Sequence, residues 1–234
     1  MRILVTGFGR FPGVHANPTA ALVRALSSQR ARLARLGIAL ELAVLPVDYV
    51  EVARRLNELD EKLKPDAILH FGLAARRKVF SIETRALNRL SQLHCDASGA
   101  RAPRRAVILG GAQTMRSTFP AREIKAGLRR AGGRVRLSIN AGSYVCNETL
   151  YLSLMCSKAP SIGFIHVPRL ARGDRPIAAR RNRRPDLADL TRAALIAILV
   201  TARKLAQQHA RRSCADRPDK IFEEAHKPPL ARVT

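Results

Sequence analysis

Val135-Arg136-Leu137-Ser138-Ile139-Asn140 alternates apolar and polar residues as a half-buried strand does, and Ala141-Gly142-Ser143 supplies a bend. Val145 to Cys156 then reads as a helix. A strand turned straight into a helix is the building unit of an α/β protein. The same stretch sets Cys146 at or near a helix N-terminus. Unpaired N–H groups and the helix dipole there favour a thiolate and lower a cysteine's pKa. Most cysteines are buried structural residues, so the rest of the chain has to decide what this one does.

Outward from this unit the elements alternate, as an α/β protein requires. Strands are expected at Arg2–Thr6, Ala39–Pro46, Asp66–Phe71, Val79–Ala86 and Ser161–Val167, besides Val135–Asn140. Helices are expected at Pro18–Leu36, Val50–Leu63, Ala121–Ala131 and Pro185–Arg211, besides Val145–Cys156. Pro65, Gly132-Gly133 and Pro168 punctuate the connections. Residues 89–119 show no clear period and are expected to hold loops or a hairpin. The pattern describes one domain over residues 1–211. A polar, proline-containing tail over 212–234 is expected to be poorly ordered.

The chain has 234 residues, 47% of them hydrophobic, which is enough for a buried core and argues against disorder. Its longest apolar runs, such as Ala193 to Val200, are far too short to span a membrane. Met1-Arg2-Ile3-Leu4-Val5-Thr6-Gly7 reaches glycine too early for a signal peptide and reads as a first buried strand. The four cysteines, Cys95, Cys146, Cys156 and Cys214, are scattered and form no C-x-x-C pair. A reduced, cytoplasmic setting is the expectation. The net charge of +24 would ordinarily suggest a nucleic-acid partner. However, its arginines are dispersed and no aromatic-interleaved basic strand or zinc-finger spacing accompanies them. A solvated basic surface is expected, with neither nucleic acid nor membrane as partner.

Hydrolysis of an amide needs a nucleophile, a base to activate it and usually a group to orient the base. Cys146 offers sulfur. His166, in Gly163-Phe164-Ile165-His166-Val167-Pro168, sits at a strand end, where side chains project into a site at the edge of a sheet. Glu83 lies within a largely apolar strand, and a carboxylate buried there must find a partner; facing solvent, and pairing with Arg85 or another surface arginine, are the other options. His70 is the one competitor as base. No H-x-x-H, H-E-x-x-H or cysteine–histidine spacing points to a metal, and Gly7-Phe8-Gly9-Arg10-Phe11-Pro12-Gly13 fits no phosphate loop. No metal and no cofactor are expected. Phe8 and Phe11 suit an apolar pocket wall or ordinary core packing equally.

Four segments in order carry a resemblance across residues 1 to about 205. They are Thr6-Gly7-Phe8 to Gly13 with Asn17-Pro18-Thr19, Ser81-Ile82-Glu83-Thr84-Arg85-Ala86-Leu87-Asn88, Gly142-Ser143-Tyr144-Val145-Cys146-Asn147, and Gly163-Phe164-Ile165-His166-Val167-Pro168. They resemble the type I pyroglutamyl peptidases, cysteine peptidases that remove an N-terminal pyroglutamyl residue. The resemblance implies a three-layer α/β/α sandwich around a mixed, mostly parallel twisted sheet, with Cys146, His166 and Glu83 as catalytic triad. It also places Phe8, Phe11 and Tyr144 around the substrate pocket with Leu73 nearby, and implies pyroglutamyl peptides as substrates and assembly into a homo-oligomer, a homotetramer in the family. Departures are Gly9-Arg10 for Glu-Pro, Pro12 for glycine, Leu73 for glutamine, and no equivalent after Asn88 of an arginine that the family keeps close to the site. A non-catalytic or nucleic-acid-binding protein on this fold, or a small-amide hydrolase of altered specificity, are the alternatives.

Overall fold

Arg2 to Phe8, apolar on both sides of its pleat, forms β1, and all of it except Arg2 is buried. Such a strand must be covered on both faces. The computed structural model describes residues 1–14, 16–171 and 184–215. After β1 come α1 (Pro18–Ser27), α2 (Arg30–Ala34), β2 (Ala39–Leu45), α3 (Tyr49–Leu63), β3 (Ala67–Leu73), β4 (Phe80–Glu83), β5 (Arg85–Leu87) and β6 (Thr114–Arg116). Then follow α4 (Ala121–Arg130), β7 (Val135–Ser138), α5 (Val145–Cys156), β8 (Ser161–Val167) and α6 (Leu187–Ala215).

Six strands make one sheet in the order β2-β1-β3-β8-β4-β7. Every pairing is parallel except that of β4 with β8. On one face Val5, Leu69, Phe71, Ile82 and Ile165 pack against Leu22 and Leu26 of α1, Ile124 of α4 and Ala194 of α6. On the other, Leu4, Phe8, Ile68, Ile162 and Phe164 meet Val52 and Leu56 of α3 and Val145 and Leu150 of α5. The result is the expected α/β/α sandwich around a mixed, mostly parallel sheet. No helix among the described residues is long and apolar enough to cross a membrane.

Three expected elements differ. The helix expected over Pro18–Leu36 breaks in two, because the Ser27 and Ser28 hydroxyls donate to the Arg24 and Ala25 carbonyls and end α1. The strand expected over Val79–Ala86 divides at Thr84. Its N–H and hydroxyl both donate to Ser138 O, and β5 then turns away to pair with β6 in a separate two-stranded sheet. The last helix passes the expected domain end at Arg211 and runs to Ala215. Residues 216–234, most of the expected tail, lie outside the described residues.

Candidate active site

The pleat brings the site together. Phe164 and His166 share one face of β8, the face covered by α5, and the register sets Gly72 of β3 and Ser81 of β4 on either side of His166. Glu83, on the same face of β4 as Ser81, lies diagonally opposite and its Oε1 is 2.9 Å from His166 Nδ1. An ionised carboxylate can only accept, so this bond fixes the proton on Nδ1 and turns the Nε2 lone pair outward. No hydrogen bond engages Nε2 among the described residues.

Cys146 arrives from the opposite layer. Gly142, at φ +93°, makes the bend after β7 that a side-chain-bearing residue would resist. The first turn of α5 then opens on Tyr144, whose side chain makes no cap bond, with Cys146 in that turn. A Cβ placed on Gly72 would lie only 2.9 Å from Cys146 Sγ and 2.5 Å from the Phe164 ring. The thiol therefore occupies space left by the missing side chain, directly beside the strand residue that pairs with His166. The N–H groups of Val145 and Cys146 donate to no other residue's acceptor among the described residues, so they remain open to an oxyanion.

Electrostatics settle the resting protonation. Burial opposes ionisation of Glu83, but His166 chiefly, with Ser138 and Arg77, outweighs it and holds the carboxyl below its usual range. Burial pushes His166 down despite Glu83's pull, with Arg77 adding to the fall, so the imidazole is neutral near pH 7. Burial pushes the Cys146 thiol up to about 12, with Glu83 raising it and Arg77 and its own N–H opposing. The expectation of a lowered thiol pKa is thus corrected: desolvation in a half-buried, apolar setting exceeds what the helix end offers. The pair rests as thiol and imidazole, and proton transfer has to accompany attack.

The other expected site residues fall into two groups. Phe11 and Tyr144, both half-buried, lie 6.3 Å apart with their rings tilted by 53°, and Tyr49 meets Tyr144 edge-on at 5.7 Å. The Tyr144 hydroxyl donates to Cys95 O at 2.8 Å. Phe8 is fully buried, with its ring 6.1 Å from Phe164, the ring that touches His166. Leu73 does not join them. Alternation turns it to the far face of β3 from Gly72, into a groove of about 980 Å³ with Arg10, Asn17, Val44 and Arg169. A second cavity of about 470 Å³ lies between Phe80, Leu128 and Ala193, and neither reaches Cys146 or His166. His70 is a satisfied core histidine, with Nδ1 2.7 Å from Thr6 Oγ1 and Nε2 3.0 Å from Ser153 Oγ, and burial lowers it to about 3.

Two site residues went unread in the sequence. Gly72 looked like a strand end, and only its contact with Sγ gives it meaning. Arg77 looked like one of many loop arginines, yet its guanidinium donates to Glu83 Oε1 and to Asn140 O, the latter at 2.7 Å. Arg85, the partner considered for Glu83, donates instead to Ile139 O. No group of histidine, cysteine and carboxylate side chains able to hold a metal occurs among the described residues.

A thiol in the first turn of a helix, lodged against the strand residue that pairs with a histidine held by a buried carboxylate, is the arrangement of a cysteine hydrolase on an α/β sheet. A model of the pyroglutamyl peptidase family matches residues 1–204, and the chain belongs to that family. The chain is 34% identical over 173 residues to the pyrrolidone-carboxylate peptidase of Pyrococcus furiosus, covering 72% of this chain and 81% of that one. It is 31% identical over 217 residues to that of Cupriavidus necator, covering 88% and 96%. Among solved structures, the Thermus thermophilus pyrrolidone carboxyl peptidase aligns with a TM-score of 0.72 at 35% identity, over 85% of this chain and 99% of that one. A single-residue variant of the P. furiosus enzyme aligns with 0.78 at 28%, over 88% and 100%.

Proposed function

We propose that this chain removes N-terminal pyroglutamyl residues from peptides, with Cys146 as nucleophile, His166 as base and acid, and Glu83 as the group that orients His166. Family membership supports the activity. The observation that carries the residue roles is the Glu83–His166 bond beside a thiol lodged against Gly72.

As Sγ attacks the pyroglutamyl carbonyl carbon, its proton passes to His166 Nε2, and Glu83 stabilises the resulting imidazolium. The Val145 and Cys146 N–H groups take the developing oxyanion. On collapse, His166 returns the proton to the leaving amine and a thioester remains on Cys146. Water, deprotonated by His166, then attacks the thioester, releasing pyroglutamate and restoring the thiol. The substrate lactam is neutral, which suits a wall of Phe11 and Tyr144 over buried Phe8. Phe8, Phe11 and Tyr144 themselves carry no carboxylate that could hold an ammonium. None of these steps calls on a metal or a cofactor. Free thiols at Cys95, Cys146 and Cys156 fit a reducing cytoplasm, and homotetramer assembly rests on the family resemblance alone.

A chromogenic pyroglutamyl amide, assayed beside prolyl and glutamyl analogues, tests this reading. The pyroglutamyl amide should turn over more than about a thousandfold faster, because an ammonium would be desolvated without a counter-charge. Comparable cleavage of all three would overturn the specificity, and no cleavage of any would overturn the activity.

A further inference from the structure

The geometry points to Arg77 as a positioning residue that clamps the base and the nucleophile's connection together. This role rests on the peptidase reading above. Arg77 lies between β3 and β4, in a turn closed by its own N–H on Ala74 O at 2.9 Å, and Ala74 N–H is bonded to Val167 O, one residue beyond His166. Its backbone is thus anchored at the end of β8. One arm of its guanidinium reaches Glu83 Oε1, the same oxygen that holds His166 Nδ1, and the other reaches Asn140 O at 2.7 Å.

Asn140 belongs to the connection from β7 to α5, and its Oδ1 accepts the Gly142 N–H at 2.9 Å. The planar group therefore ties the carboxylate that orients the base to the bend that delivers Cys146, and the backbone of its own turn ties both to the end of the strand bearing the base. A planar fork suits this task because its two arms are fixed relative to each other, which an ammonium cannot offer. The clamp also balances charge. Glu83 is fully buried, its Oε2 has no partner, and neutral His166 brings no counter-charge. Arg77, only one-fifth exposed, supplies it.

Arg85 provides an internal control. It donates to Ile139 O at 2.9 Å, the carbonyl next to Asn140, and makes no bond to Glu83. It anchors the connection without touching the base. The groups facing His166 are Glu83 from β4, Arg77 from the preceding turn and Cys146 from α5. From β3 come Gly72 and, behind Phe164, the neutral His70.

Arg77→Ala should lower kcat about 10- to 100-fold with KM changed less than about threefold, since alignment is lost and lactam contacts are not. Without the guanidinium, the full charge of Glu83 makes His166 easier to protonate, so the acidic limb of kcat/KM moves up by about one pH unit. Arg77→Lys keeps the charge and one arm, so its limb should stay in place while kcat recovers in part. Arg85→Ala should leave the limb unmoved.

The rate of Cys146 alkylation by iodoacetamide against pH reads the same titration without turnover. A wild-type protein that fails to cleave the pyroglutamyl amide would sink the peptidase reading, and the alkylation profiles would still decide the role of Arg77. Arg77→Ala with wild-type kcat and an unmoved limb in both profiles would overturn the inference. Identical behaviour of the Arg77→Ala and Arg85→Ala variants would also overturn it. Should Arg77→Ala not fold, wild-type kcat in Arg77→Lys would do so alone.

Discussion

Adding one methyl group at Gly72 should disable the site. The new Cβ would sit 2.9 Å from Cys146 Sγ and 2.5 and 2.8 Å from two carbons of the Phe164 ring. Comfortable contacts between such atoms begin near 3.5 Å, so the thiol must retreat by about 0.6 Å and the ring by about 1 Å. Phe164 cannot yield freely, because it is fully buried between Phe8, His70 and His166. Overpacking of this kind costs about 1–3 kcal/mol of stability. A thiol displaced by most of an ångström loses about a hundredfold in turnover. Gly72→Ala should therefore unfold at lower denaturant and cleave a pyroglutamyl amide about a hundredfold more slowly. Alkylation of Cys146 by iodoacetamide should change rate as well, while that of exposed Cys95 should not. A Gly72→Ala enzyme with wild-type turnover and unfolding midpoint would show that Gly72 does not make room for the nucleophile.

Three further changes separate catalysis from structure. Glu83→Gln keeps a hydrogen-bond acceptor but removes the charge behind the imidazolium, and should cut kcat about 10- to 1000-fold, less than His166→Ala does; equal losses in steady-state assays would contradict the orienting role. His70→Leu removes the partner of two buried hydroxyls and should cost about 1–3 kcal/mol per orphaned group in denaturant unfolding. Turnover should survive, and a dead but stable His70→Leu would return His70 to the reaction. Glu148 is buried and pushed up to about 8, chiefly by that burial, so the folded state keeps a proton that the unfolded chain releases near the ordinary value of 4.5. Stability contributed by the neutral carboxyl is complete below about 4.5 and is lost as pH rises towards 8. Glu148→Gln should abolish that loss and stabilise the protein at pH 9 by up to about 5 kcal/mol; equal pH slopes in variant and wild type would refute it.

The layers of this fold were legible because burial stamps its period on the sequence. Helix α5 and strand β8 begin and end where the apolar pattern starts and stops, and the strands buried on both faces read as unbroken apolar runs. Residues 89–113 carry no such period because side chains, not ladders, order them. Asn88 binds Ile108 N–H and the carbonyls of Ile108 and Gly111. Asp96 gathers Ser98, Ala100 and Tyr49 N–H. Cys146, Glu83 and His166 could be proposed because chemistry and a resemblance converged on them. Gly72 and Arg77 could not, since one meets Sγ by lacking a side chain and the other reaches from its turn to both β4 and the β7–α5 connection. Leu73 illustrates the opposite limit: the resemblance put it near the pocket, but the alternation of β3 turns its side chain to the far face from Gly72.

The central claim is that Cys146 carries the acyl group. Acid quenching during turnover of a pyroglutamyl amide, followed by peptide mapping and mass spectrometry, tests it most directly. One added pyroglutamyl group is expected on the peptide holding Cys146, none on those holding Cys95, Cys156 or Cys214, and neither adduct nor turnover in folded Cys146→Ser. An acyl group on another residue, or turnover undiminished in Cys146→Ser, would contradict it.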